Sequence, residues 1–365
     1  MRYFVILASL LVSFQSFADA INLGDASKYN AFIKKDFSVV TSDVEGRIAV
    51  GGNLNIGSQY DIGTQINNFG MGSGPSLVVG GNIVKNGSGN LGVYRSETPS
   101  ELGDAVLSGA LTINGGSATI GNLTQHSTNL PVDFDSAFAH LETLSKQLSE
   151  RTATSTTDHG WALEFKVDPN VIPDDNVYVF NVTQDQFTTD WYVNTDGMKE
   201  DATVVFNISN PSSSTVTFSQ ANVFLANGSD PFKSSDPLSG YFNKGAANGE
   251  PPVQVLYNFY GASQLNLNTS DLFGSILAPT ADIVSAAGQL YGQVIGKSWS
   301  TPGNQTQINY NPFEPVPGTP TTPVPEPSTL LSFALALVIM LGRKKLSLVK
   351  SRLFSKKSTN KVCFA

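Results

Sequence analysis

The sequence predicts a mainly β protein, built either as the stacked rungs of a β-solenoid or as a large sandwich, with one long amphipathic helix packed alongside. Three observations lead there. Short apolar runs recur around Gly-Gly-Asn in the first third of the chain, β-branched and aromatic runs fill residues 160–310, and the segment between them switches to helical spacing. Only 14% of the 365 residues are charged, while the chain holds 33 glycines, a profile that suits a turn-rich exported β protein better than a helical cytoplasmic enzyme.

The N-terminus, MRYFVILASLLVSFQSFADA, has Arg2 ahead of a short apolar stretch, then Ala18 and Ala20 in an A-x-A pattern. This reads as a secretory signal peptide over residues 1–20, with the mature chain starting at Ile21. An uncleaved anchor would need a longer apolar run.

In the glycine-rich part, GRIAVGGNLNIGS (46–58) and SLVVGGNIVKNGS (76–88) are copies of one strand–turn–strand unit, and GALTINGGSATIGNLT (109–124) is a looser third. Gly and Asn are expected at these turns because they tolerate positive φ. Repeated units of this kind argue for stacked rungs. The segment PVDFDSAFAHLETLSKQLSE (131–150) then places Phe134, Phe138, Leu141, Leu144 and Leu148 three and four apart, one apolar face of a helix, with Asp133 or Asp135 as its cap. An isolated helix must bury that stripe, most simply along the side of the β body. Beyond it, NVYVFNVT, ATVVFNIS, STVTFS, ANVFLA and PVQVLYNF read as strands, and residues 272–299 as further rungs.

The charge is uneven. From Ile21 to Pro325 there are 28 acidic and 13 basic residues, whereas Arg343–Lys361 holds eight basic residues and no acidic one. An acidic body repels phosphate backbones, so no nucleic acid partner is expected. The single cysteine, Cys363, lies in the tail, so the body has neither disulfide nor thiol chemistry.

Residues 314–323 belong to a proline-dense linker. Then come Val324, Pro325, Glu326 and Pro327, an apolar run to Gly342, and Arg343, Lys344 and Lys345. As a helix the run spans about 22 Å, against roughly 30 Å of bilayer hydrocarbon. It has no polar face, and the basic triplet behind it acts as a membrane stop with the C-terminus in the cytoplasm. Residues 324–345 resemble a PEP-CTERM sorting signal with a short transmembrane helix. The resemblance implies recognition by an exosortase-type enzyme in the inner membrane of a Gram-negative bacterium, then release to the surface or exopolysaccharide matrix. The basic tail 346–365 departs from that pattern, since such signals usually end soon after the basic cluster.

The paired GGN turns, the helix after a β region, and the run LYNFYGASQLNLN…FGSILAPTADI…GQLYGQVIGKSW resemble the choice-of-anchor A family over residues 21–313. That resemblance implies an ice-binding-like β-solenoid with a helix alongside, and an adhesive surface or biofilm-matrix module. It implies no catalytic residue, no cofactor and no resident metal.

Four features could carry chemistry. GSGNLG (87–92) matches G-x-G-x-x-G, but no helix pattern follows, so a β-turn is expected. His126, His140 and His159 form no metal or triad motif, and His140 sits within the predicted helix. Three carboxylate groups could offer oxygen ligands to Ca²⁺: Asp133 with Asp135, Asp174 with Asp175, and Asp196 with Glu200 and Asp201. Capping, a turn and a solvated loop account for them respectively. Trp191-Tyr192 could stack on sugar rings, although core packing is the commoner use. The reading is therefore a non-enzymatic exported adhesin with an unidentified surface, matrix or polysaccharide ligand. The alternatives are an ice-binding protein, for which Thr112, Thr119, Thr124, Thr215 and Thr217 form no sustained array, and a β-helix polysaccharide-active enzyme.

Overall fold

The computed structural model describes residues 21–313 apart from 98–99, 174, 188, 220–221, 243–252, 287 and 304. The signal peptide, linker, sorting motif, short membrane helix and basic tail predicted above lie outside the described residues. The protein is mainly β, and its parallel sheets curl through three faces as the chain coils, so the sandwich alternative is set aside. Among the described residues no helix is long and apolar enough to cross a membrane.

A single repeat shows why these residues coil. In Ile48–Val50 the first and last side chains point inward; Gly51-Gly52-Asn53 turns a corner; Leu54–Ile56 again points its ends inward. The copy at Leu77–Val79 and Ile83–Lys85 stacks on it in register, Ile48 on Leu77 and Leu54 on Ile83. The looser copy adds Leu111–Ile113 and Ser117–Thr119 to the second and third faces.

The Gly-Gly-Asn corners correct one expectation. Their glycines have ordinary negative φ; positive φ falls elsewhere, as at Gly87 and Gly89. What requires glycine is the close approach of successive coils. A Cβ on Gly81 would lie 2.6 Å from Asn53 Oδ1 and 2.8 Å from the Gly52 carbonyl oxygen. The third residue is equally specific. Asp36 Oδ1 accepts from the Asn53 backbone N–H (2.7 Å), Asn53 Oδ1 from that of Asn82 (2.9 Å), and Asn82 Oδ1 from that of Ala110 (2.9 Å). This ladder satisfies corner amides that no strand partner reaches.

The coils are not stacked in chain order. Ala31–Ile33 lies in the middle of the first face. Ile48–Val50, Leu77–Val79, Ala105–Leu107 and Leu123–Thr124 follow to one side. Helix α1, Phe134–Ser149, then carries the chain back to the other side. There Val177–Thr183, Ala202–Ser209, Val253–Asn258, Ser275–Ser285 and Val294–Ser300 return inward strand by strand. The last of these pairs with the first strand of the chain, Ala31 opposite Val294. On the third face Gln307–Asn309 closes on Ser42–Val44 in the same way.

Helix α1 roofs the first face. Asp133 caps it, its carboxylate accepting from the Ser136 backbone N–H (3.1 Å) and hydroxyl (2.6 Å). Its stripe, with Phe138, Leu141 and Leu148 fully buried, packs on a row of outward side chains: Val205, Leu256, Leu277, Ile295, Phe32, Ala49 and Val78. First-face strands are therefore apolar on both sides (AFI, IAV, LVV), whereas second-face strands alternate (FSV, LNI). Sixteen residues of helix span about 24 Å, the width of five strand spacings of about 4.8 Å.

One polar residue interrupts the stripe. Ser145 donates to Asn258 Oδ1 (2.6 Å), and Asn258 Nδ2 donates back to the Ser145 carbonyl (2.8 Å). Asn258 Nδ2 also donates to Asn207 Oδ1, and Asn207 Nδ2 to the Leu148 carbonyl, both at 2.8 Å. These asparagines stack in register with Asn181, one per strand. Lys85 is a second polar exception: it occupies an inward position, and its ammonium donates to the carbonyls of Asn86 (2.6 Å) and Gly87 (3.2 Å).

The closing seam is held by two buried amides. Asn30 donates to the carbonyls of Gly292 (2.8 Å) and Asn309 (3.3 Å) and accepts from the Gly46 N–H (3.0 Å). Gln293 donates to the carbonyls of Ser27 (2.9 Å) and Tyr29 (3.0 Å). Replacing Asn30 with Leu strands those partners in a dry site and is expected to cost about 3 kcal/mol of stability. Denaturant unfolding followed by circular dichroism measures it; a loss under about 1 kcal/mol would show that the seam does not rest on Asn30.

Candidate binding surface

With the first face roofed, three surfaces remain for function: the second face, the third face, and a separate five-stranded sheet formed by residues 155–237. The residues predicted to direct sorting and cleavage, Ala18, Ala20, Val324–Pro327 and Arg343–Lys345, lie outside the described residues.

The second face is flat and parallel, but its outward row is mixed. Reading across it in register gives Thr217, Asn266, Val284, Ser300, Ser38, Asn55, Val84 and Thr112. Thr217 and Thr112 stand at opposite ends of the row. Thr215 belongs to a neighbouring row that includes Asp282, which is paired with Lys297 at 2.7 Å. A rank of threonines is not present on this face.

The third face carries a polar ladder. Gln289 Nε2 donates to Gln307 Oε1 and Gln307 Nε2 to Asp43 Oδ2, each at 3.2 Å. Burial pushes the Asp43 carboxyl up to about 6; the Gln307 amide opposes the rise, and Glu45, Asp61 and Glu97 add to it. Burial also raises Asp61.

The five-stranded sheet is ordered Ser155–Asp158, Ala162–Lys166, Asp190–Asn194, Val223–Ala226 and Ser235–Pro237, with its three central strands parallel. Alternation separates the pair singled out in the sequence: Trp191 is fully buried among Phe165, Phe187 and Phe206, while Tyr192 lies on the opposite side of the sheet, where neighbouring rings leave it only 9% exposed. Around Tyr192 an aromatic group assembles. Phe224 stacks on it at 4.8 Å, Phe232 meets it edge-on at 4.9 Å, and Trp161 lies 4.8 Å from Phe232 and 6.1 Å from Tyr192. His159 packs on the far side of Phe232 at 4.9 Å. Beside them the buried Glu164 carboxylate meets His159 Nε2 (3.3 Å), Asn194 Nδ2 (3.4 Å) and Lys166 Nζ (3.6 Å). Sequence reading missed Trp161, Phe224 and Phe232, which come from three separate segments; HGW at a hairpin tip was the available signal.

The other candidates take structural positions. Asp133 caps the helix, and Asp175 pairs with Arg151 at 2.7 Å, while Asp174 lies outside the described residues. Asp201 takes positive φ at a turn. Among the described residues no group of three or more His, Cys, Asp or Glu is placed to hold a metal ion. His140 Nε2 lies 2.7 Å from the Asn22 carbonyl oxygen, so it packs the helix onto the N-terminal segment. Gly87 and Gly89 form a turn that leads into the strand Asn90–Ser96, as expected. A crevice between the five-stranded sheet and the third face is lined by Phe218, Val223, Leu238, Tyr257, Leu272 and Phe273, with Asp271 the one carboxylate.

The protein is thus a coiled, mainly parallel β body roofed by one long helix, and sequence comparison gives the family. The model of the ice-binding-like adhesive domain matches residues 22–310, most of the chain, and the chain belongs to that family. The PEP-CTERM protein-sorting motif matches residues 323–345. Together they mark an exported cell-surface protein, and the motif implies processing by exosortase-type machinery. Two solved structures are similar. One is the ice-binding protein of the Antarctic ascomycete Antarctomyces psychrotrophicus, 14% identical over 81% of this chain and 98% of that one, TM-score 0.32. The other is an ice-binding protein from an Antarctic biological consortium, 13% identical over 80% and 89%, TM-score 0.26. No curated protein matches the chain.

The third face yields a pH prediction. An aspartate whose folded value is raised above the ordinary one of about 3.9 makes the folded state bind its proton more tightly than the unfolded chain. Its stabilising share is complete below pH about 4 and is lost as pH rises through about 6. Asp43→Asn is therefore expected to raise stability by about 1 kcal/mol at pH 7.5, after allowing for solvent screening, and to change little at pH 4. Unfolding midpoints at the two pH values check this; an equal effect at both would assign it to packing.

Proposed function

We propose that this protein is a non-enzymatic adhesin of the cell surface or exopolysaccharide matrix, its body an ice-binding-like β-solenoid, released through an inner-membrane intermediate by cleavage at the sorting signal. One observation carries the reading: an adhesive-family body over residues 22–310 runs directly into a sorting motif at 323–345. The mixed outward row of the second face favours adhesion over ice binding.

Two experiments test it. In a host with an exosortase, the intact mass of the secreted form is expected to end near residues 324–329, and substituting Glu326 and Pro327 to leave a longer, membrane-retained species. Wild-type protein that keeps Cys363 and stays in the inner membrane would show a plain anchor. Incubation with surface polysaccharides should yield no new reducing ends or unsaturated products. Cleavage abolished by a single Asp or Glu substitution would make the protein an enzyme.

A further inference from the structure

We infer that the outer surface of the five-stranded sheet is a saccharide-binding site, with Trp161 and Phe232, seated on the buried Tyr192, forming a platform for the C–H face of a neutral pyranose. This rests on the adhesive reading and gives it a place and a ligand class.

Trp161 is the first reason. It is 57% exposed, the most exposed of the large apolar side chains described. A solvent-facing indole contributes little to folding, because apolar side chains stabilise in proportion to the area they remove from water. Yet this one is held firmly. The hairpin before it is closed by the His159 N–H on the Ala162 carbonyl (2.9 Å) and by the Gly160 N–H on Asp158 Oδ1 (2.7 Å), with Gly160 at φ +82°. Phe232 is likewise set by a turn, in which Lys233 Nζ pairs with Asp230 at 2.6 Å and the Lys233 N–H donates to the Asp230 carbonyl at 3.2 Å. Two rigid turns from distant parts of the chain thus bring rings together over Tyr192. An exposed aromatic group presented in this way marks an interaction site.

The chemistry of the surroundings selects the ligand. The apolar area consists of flat rings, and the exposed polar side chains of Asp158, His159 and Asn222 border it. Glu164 keeps its carboxylate buried beside the rings and ties it to Asn194 and His159. Asp190 Oδ1 accepts from Asn222 Nδ2 at 2.9 Å on the neighbouring edge. A pyranose has the matching build, with axial C–H groups on a face that packs on an aromatic ring and hydroxyls around its rim. Charge narrows the choice further. Asp158, Glu164, Asp190 and Asp230 outnumber Lys166 and Lys233 here, on a body already rich in acids, so uronate or sulfated chains are repelled. Neutral hexose polymers remain.

The test is isothermal titration of the purified protein with cellohexaose, laminarihexaose and mannohexaose, with polygalacturonate as the anionic counterpart. At least one neutral oligosaccharide is expected to bind and to quench tryptophan fluorescence. Trp161→Ala is expected to weaken it at least tenfold, Trp161→Phe to restore part of the loss, and Phe232→Ala to weaken it independently. Circular dichroism melting should be unchanged, since Trp161 is exposed. Neutral-sugar binding that survives both alanine substitutions, or binding of polygalacturonate alone, overturns the site. Protein that binds no oligosaccharide yet still coats the producing cells overturns the inference and leaves the adhesive reading standing. Protein that neither binds sugar nor coats cells removes both.

Discussion

The structure depends on a seam between its first and last coils. A parallel stack built from one end exposes its first strand until something covers it. Here the opening strand, Ala31–Ile33, lies mid-stack, and its uncovered edge is closed only when Val294–Ser300 arrives from the far end of the chain. Asn30 and Gln293 mark that closure, with hydrogen bonds spanning more than 260 residues. Every coil on either side stacks on a neighbour, so the middle pair fixes the register of both halves. Such non-local pairing pays loop-closure entropy before it gains contacts, which makes slow, highly cooperative folding the natural consequence.

The second constraint is the return journey. A chain that builds one half outward and the other inward must cross the stack between them, and α1 makes that crossing. Its length of about 24 Å matches the six strands from Val205 to Ala49, whose outward row its stripe covers. Asn207 and Asn258 bond its C-terminal part to two successive strands where apolar contact alone would let it slide, and Asn181 on the next strand accepts from Asn207. Because the roof covers the centre of the first face, the protein meets its surroundings mainly through the other two faces and the five-stranded sheet.

Much of this was legible in the sequence, and the parts that were not have physical reasons. The helix showed itself because Phe138, Leu141 and Leu148 repeat with the period of a helix, and the coils because Gly-Gly-Asn recurs. The glycines were read correctly as turns for the wrong reason: close stacking of neighbouring backbones leaves no trace in local conformation. The Phe-Asn, Phe-Asn and Tyr-Asn pairs at 180–181, 206–207 and 257–258 were visible as strings, but their meaning needs the helix laid against them. The order of the coils was hidden, since each half reads the same whichever way it stacks. Trp161 and Phe232 were hidden for a related reason: an aromatic group drawn from separate turns has no spacing to find.

The seam also bears on display. The described chain ends beside the closing coil, where Phe313 is buried in the cluster under α1. The described residues thus end at the middle of the stack rather than at either edge. The edge at Leu123–Thr124 is short and exposed. The opposite side carries the five-stranded sheet, whose outermost strands, Ser155–Asp158 and Ser235–Pro237, run antiparallel to their neighbours. Antiparallel edges, one of them ending in proline, break the parallel pattern that another stack would need in order to add on.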